Sequence, residues 1–117
     1  MSKYSLKRKE LHISLEKAEG GTEELKMVEM DAATRDGYLD RLGKRIKVGP
    51  DGKSAGVSKF EGLQADLISS CLYRGDVKVS QAEVQLWPAS VVAGIFKEAQ
   101  DLNRLGTEIE EAGIKNE

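Results

Sequence analysis

Cysteine, histidine, proline and aromatic residues are scarce in this chain. There is one Cys, one His and two Pro in 117 residues, and aromatics make up 5%. A single cysteine excludes an internal disulfide and fits a reducing compartment. One Cys and one His cannot supply a Cys/His zinc site within one chain. No apolar run approaches the roughly 18 residues of a membrane-spanning helix. The basic stretch Met1-Ser2-Lys3-Tyr4-Ser5-Leu6-Lys7-Arg8-Lys9 has no apolar run after its charges, so no secretory signal is expected. A strong charge of one sign is missing as well. The 18 basic and 20 acidic residues give a net charge of -2, whereas a dedicated nucleic-acid binder carries a basic excess. The cluster Lys7-Arg8-Lys9 has no interleaved aromatics and so forms no stacking platform.

What remains is the composition of a globular protein, 39% hydrophobic and 32% charged. Its length fits one domain, able to bury ~65% of its unfolded surface. Charge is split along the chain. Residues 1–59 hold 13 Lys/Arg and 10 Asp/Glu, a net of +3, and residues 60–117 hold 5 and 10, a net of -5. Two readings are open: ordinary solvated faces, or complementarity between copies, basic end to acidic end, which favours rings or spirals.

Residues 1–9 read as a basic flexible arm, and residues 10–117 as a single domain. Leu11, Ile13 and Leu15 alternate with polar residues, which predicts a half-buried strand. Gly20-Gly21 suits a tight turn. Leu25, Met27, Val28 and Met30 predict a second strand, with a bulge at Met27-Val28 where the pattern slips. Asp31 reads as the N-cap of a helix from Ala32 to Lys47, carrying Tyr38, Leu39, Leu42 and Ile46 at helical spacing. Gly37 weakens that helix by roughly 1 kcal/mol against alanine. The breakers of Gly49-Pro50-Asp51-Gly52 predict a mobile loop near 48–58. Phe60, Leu63, Leu67 and Cys71 predict a helix from about Lys59 to Tyr73, ended by Gly75. Val77 and Val79 follow in an extended piece. Ser80-Gln81-Ala82-Glu83 is a capping box opening one helical turn, and Trp87-Pro88 interrupts it. Pro88 starts a further helix with Val92, Phe96, Ala99 and Leu102 on one face and Ile95 beside them, ended by Gly106. Thr107-Glu108-Ile109-Glu110 would open a short acidic helix. The fold class expected is α+β, helix-dominated: a short N-terminal β-hairpin, three main helices and a short C-terminal one.

Chemistry is sparse. His12 has no identifiable partner for general-base work and reads as a surface residue. Cys71 lies on an apolar stripe and reads as a buried, inert thiol. Asp36 and Asp40 share a helix face with Arg41, Lys44 and Arg45, which points to a solvated ion-pair face. Gly49 to Ser54 lacks the spacing of a phosphate loop. Trp87 is open to two readings: a packing residue at the join of two helical segments, or an exposed anchor for a partner. No catalytic, cofactor or metal residues emerge, and no enzyme activity is expected.

Three stretches carry a family resemblance: Met30-Asp31-Ala32-Ala33-Thr34-Arg35-Asp36-Gly37-Tyr38-Leu39, Phe60 through Leu72, and Leu86-Trp87-Pro88-Ala89-Ser90-Val91-Val92 through Asp101-Leu102-Asn103. With the charged tail Glu110 to Asn116 they resemble the tail assembly chaperones of phages or prophages with long, non-contractile, siphovirus-type tails. The likeness covers roughly residues 10–116. It implies a non-enzymatic protein of the host cell cytoplasm, absent from the mature virion. Such a protein binds the tape measure protein, keeps it soluble and, through a longer frameshifted form, recruits the major tail tube protein. The resemblance also implies a homo-oligomer, with spiral arrangements fitting the coating role, and neither nucleic acid nor membrane as partner. Within that frame Trp87, Val91, Ile95 and Phe96 are the candidate partner-binding residues, being more apolar surface than a small core absorbs. A phage-encoded interaction or adaptor protein with a different partner is the alternative.

Overall fold

The computed structural model describes residues 2–48, 54–57 and 62–105. It shows an α+β fold that opens with an antiparallel hairpin. Strand β1 (Glu10–Glu16) pairs with β2 (Thr22–Val28) in an unbroken register that sets Leu11 opposite Met27 and Ile13 opposite Leu25. These cross-strand apolar pairs put the hairpin's inner face in the core. The turn needs its glycines: Gly20 and Gly21 sit at φ 107° and 83°, where a side chain would be strained. No bulge occurs at Met27-Val28. Val28 ends an interior strand that is partly covered on both faces, so the alternation loses contrast there without a change of register.

Helix α1 (Ala32–Gly43) begins as the sequence suggests, with Asp31 Oδ1 accepting from the Thr34 amide at 2.8 Å. It buries Tyr38 and Leu42. It stops at Gly43, short of Lys47, because the chain turns into β3 (Ile46–Val48), which pairs antiparallel with β4 (Ser54–Val57). Ile46 and Val48 are β-branched, and a pairing partner decides in favour of the strand. The segment 48–58 is therefore partly strand. Residues 49–53 and 58–61, on which most of the mobile-loop expectation falls, lie outside the described residues, as does Phe60.

Helix α2 (Leu63–Cys71) follows Gly62, at φ 77°, and is shorter than the periodicity predicts. It passes directly into β5 (Leu72–Arg74), which pairs with β2, Met27 facing Leu72 and Lys26 facing Tyr73. Gly75, at φ 65°, closes the turn from β5 to β6 (Val77–Lys78) and does not cap a helix. The main sheet thus has the order β1-β2-β5-β6. Helical spacing up to Tyr73 could not reveal that its last two residues exchange helix for sheet hydrogen bonds.

Ser80 caps the single-turn α3 (Gln81–Val84), its Oγ accepting from the Glu83 amide at 3.2 Å. Only half of a capping box forms, because the Glu83 carboxylate turns outward to Arg74 at 2.6 and 3.0 Å. Helix α4 (Ala89–Asn103) starts after Pro88 and buries Val92, Ile95, Ala99 and Asn103. Its inner face is turned slightly from the expected one, so Phe96 and Leu102 are half-buried. Arg104 leaves the helix at φ 55°, and its neighbour Leu105 is buried. Gly106 and the helix expected after Thr107 lie outside the described residues.

Two polar links tie the helices together. The Arg41 guanidinium grips the buried Asp66 carboxylate of α2, with Nε and Nη2 each 2.8 Å from an oxygen. Arg41 therefore reaches across to α2, while its half-exposed side chain also feels the charge of Asp40 on α1. This hydrogen bonding holds its guanidinium more firmly protonated than usual. At the other end of α1, Asn103 Oδ1 accepts from the Met30 amide at 2.8 Å, and its Nδ2 donates to Ala99 O at 2.9 Å. Arg35 Nη1 donates to the Asn103 carbonyl at 2.6 Å. The strand-to-helix junction at Met30 is thereby fixed to the end of α4. No helix among the described residues is long and apolar enough to cross a membrane.

Candidate partner-binding groove

Strand β1 packs on β2, and α4 packs chiefly on α2, so the two elements face one another across a gap. That gap is a groove of about 750 Å³. Ile13 and Ile95 are buried at its floor, and the half-buried Leu15, Trp87 and Val91 form its walls. Leu86, 85% exposed, stands at one end. A smaller hollow of about 340 Å³, lined by Lys9, Leu11, Glu98, Asp101 and Leu102, shares Glu98 with the groove and extends it along the start of β1. On the other side of Trp87 lies a further hollow, lined by Gly62, Leu63, Gln85, Ala89 and Val92 among others. The indole is a wall between two hollows, half packed against the core and half available to a partner.

Helix geometry explains which sequence candidates meet here. Val91 and Ile95 are four residues apart and share one stripe of α4, and Trp87 lies at the entrance to the same stripe. Phe96 is turned about 100° from Ile95 and does not line the groove; it packs half-buried against the core. The groove needs a low floor between Val91 and Ile95, and Gly94 supplies it. A Cβ added at Gly94 would meet no atom within 4 Å, so the space above it is open. A glycine inside a helix with no turn to make, at a cost of roughly 1 kcal/mol, was the available sequence signal for this opening.

The rim is acidic. Glu16, Glu19, Glu23 and Glu98 surround the groove, with Lys17 and the exposed His12 among them. Arg74 hydrogen-bonds Glu23 and holds its carboxyl below the usual carboxylate range. Glu16, Glu19 and Glu98 have no ion-pair partner among the described residues. The acidic rim draws on both halves of the sequence, so the basic-to-acidic split along the chain is not the division found around the groove.

Apolar walls with a charged border can cover the apolar surface of a partner. Cys71 is not in the groove. It is buried behind Asn103, and burial pushes its thiol up to about 12, which leaves it protonated and unreactive at neutral pH. Among the described residues no three His, Cys, Asp or Glu side chains gather as a metal site would require. Comparison with protein-family models, curated proteins and solved structures finds no match to this chain.

Proposed function

We propose that this protein is a phage tail assembly chaperone that shelters apolar helical segments of a tape measure protein during tail morphogenesis. The observation that carries the reading is the apolar groove where Trp87, Val91 and Ile95 converge under an acidic rim. The likeness of Met30–Leu39, Phe60–Leu72 and Leu86–Asn103 to that family supports it. A long client with bare apolar helix faces aggregates unless they are covered. A groove of this kind accepts such a face through apolar positions spaced three and four apart. Many copies, each binding weakly, hold one client by local concentration and yield one at a time to incoming tail tube subunits. In this reading a longer frameshifted form recruits the tube protein. The copies self-associate in a spiral, act in the host cytoplasm and leave before the virion is complete. Phe96 serves the core, and the client contacts fall to Trp87, Val91 and Ile95.

Co-production with the tape measure protein tests the reading. The wild-type chain keeps the client soluble. Gly94→Gln, which fills the open floor without a clash, retains the fold and loses client binding about tenfold or more, as loss of a central contact does. Trp87→Ala has the same effect if circular dichroism is preserved. A client that stays insoluble with the wild type, or that Gly94→Gln rescues equally well, contradicts the proposal.

A further inference from the structure

We infer that the N-terminal arm of one copy docks as an added strand along β1 of another, laying Tyr4 and Leu6 into the β1–α4 groove. The arm carries two large apolar side chains with nothing to cover them: Tyr4 is 89% and Leu6 100% exposed. Two residues apart, they point to the same face of an extended chain, with Lys3, Ser5 and Lys7 on the opposite face. The edge that would receive them is open. Strand β1 ends the sheet and bonds only to β2 among the described residues, so one row of its backbone amides and carbonyls is free to template another strand. Residues 2–8, extended, span roughly 23 Å, about the length of the seven-residue β1.

Charge selects the same pairing. The arm holds Lys3, Lys7, Arg8 and Lys9 and no acidic residue. The groove's rim offers Glu16, Glu19 and Glu98, none engaged by a described cation. The root of the arm is tied to the end of β2. The Lys9 carbonyl accepts from the Glu29 amide at 2.8 Å, the Lys9 amide donates to Glu29 Oε1 at 3.0 Å, and Arg8 Nε donates to the Glu29 carbonyl at 2.7 Å. These bonds hold Arg8 and Lys9 on the side of β1 that pairs with β2, opposite its free edge. Doubling back from that tether would spend residues on a turn and leave too few to lie along the seven-residue β1, so the occupant is a second copy. An arm-to-groove contact is head-to-tail and links copies into an open chain or ring. The inference deepens the chaperone reading by naming the groove's resident before a client arrives. Its test uses the purified protein alone, so its failure is separable from failure of that reading.

The experiment uses the full-length chain with Leu6→Cys and Ser90→Cys together, oxidised mildly and run on a non-reducing gel; Cys71 is buried and stays silent. Inter-chain docking gives a ladder extending beyond dimers, which neither single variant gives. A monomeric band, from no closure or from closure within one chain, overturns the inference. In parallel, sedimentation of the otherwise wild-type Leu6→Asp variant shows self-association weakened about tenfold or more, and added salt weakens the wild type in the same direction. Leu6 is fully exposed, so the fold is unaffected. A wild-type chain that is monomeric at every concentration, or a Leu6→Asp chain that associates as the wild type does, overturns it and leaves the groove to the client alone.

Discussion

Raising the pH from 9 to 11 is expected to destabilise this protein by about 4 kcal/mol through two buried acids. Burial raises the Cys71 thiol from 9.0 to about 12 and the Tyr38 phenol from 10.0 to about 12. Tyr38 is 1% exposed, and its hydroxyl finds no hydrogen-bond partner among the described residues, so the nearby Arg45 and Arg41 charges only partly offset the loss of hydration that ionisation would need. The sign follows from proton counting. Above pH 9 the unfolded chain releases the thiol proton, and above pH 10 the phenolic one, while the folded chain keeps both. The unfolded state then binds fewer protons, and stability falls as pH rises, by up to about 1.4 kcal/mol per unit for each group. At pH 11 the thiol accounts for about 3 kcal/mol and the phenol for about 1 kcal/mol. Small domains have only about 5–15 kcal/mol in total, so the urea midpoint should move far to the left. Cys71→Ala separates this effect from general lysine deprotonation. Its pH profile should be flatter than the wild type's between 9 and 11, whatever its stability at neutral pH. Parallel profiles for the two proteins would show that the thiol is not protected as described.

Asn103→Ala is the second large effect, expected to cost about 2–4 kcal/mol. The side chain is buried and serves two backbone groups at once, the Met30 amide and the Ala99 carbonyl, and its Nδ2 lies 3.9 Å from the Cys71 sulfur. Truncation strands the Met30 amide where water does not reach, a penalty of roughly 1–3 kcal/mol. The vacated volume adds a cavity cost of similar order. The junction between β2 and α1 should also loosen, because Asn103 is what holds Met30 against α4. Thermal unfolding should therefore drop by ~10 °C or more. Faster amide exchange should be confined first to residues near Met30. A loss below ~0.5 kcal/mol would mean that the Asn103 contacts carry no weight.

The burial of Cys71 was legible from the apolar stripe it lies on, but the task of Asn103 was not. Asn103 sits on what reads as the polar boundary of α4, and only its meeting with Met30, seventy-three residues away, gives it a task. Features set by neighbours along the chain were legible. Alternating Leu11, Ile13 and Leu15 with Gly20-Gly21 gave the hairpin, Asp31 the start of α1, and Pro88 the break before α4. The short strands β3 to β5 were not, because three or four residues become strand only when a partner strand accepts them. The groove divides along the same line. Its α4 wall, Val91 and Ile95, follows from helical spacing, and Trp87 from its place before Pro88. Its β1 wall, Leu15 and Glu16, belongs to a hairpin brought there by the β2–β5 pairing, and no local pattern announces that approach. Phe96 satisfies the same spacing rules as Ile95, and only the 100° step between them decides which one faces the groove.

The chaperone reading meets its most direct test in cells producing this chain together with the phage or prophage tail proteins encoded beside it. The tagged protein is captured, and the soluble complex is identified by mass spectrometry. The reading predicts recovery of one very long, helix-rich tape measure protein with many copies of this chain, and loss of that complex with Gly94→Gln. If the tape measure protein is made but remains insoluble, and the captured chain comes down with other partners or alone, the reading is contradicted and an adaptor role with a different partner takes its place.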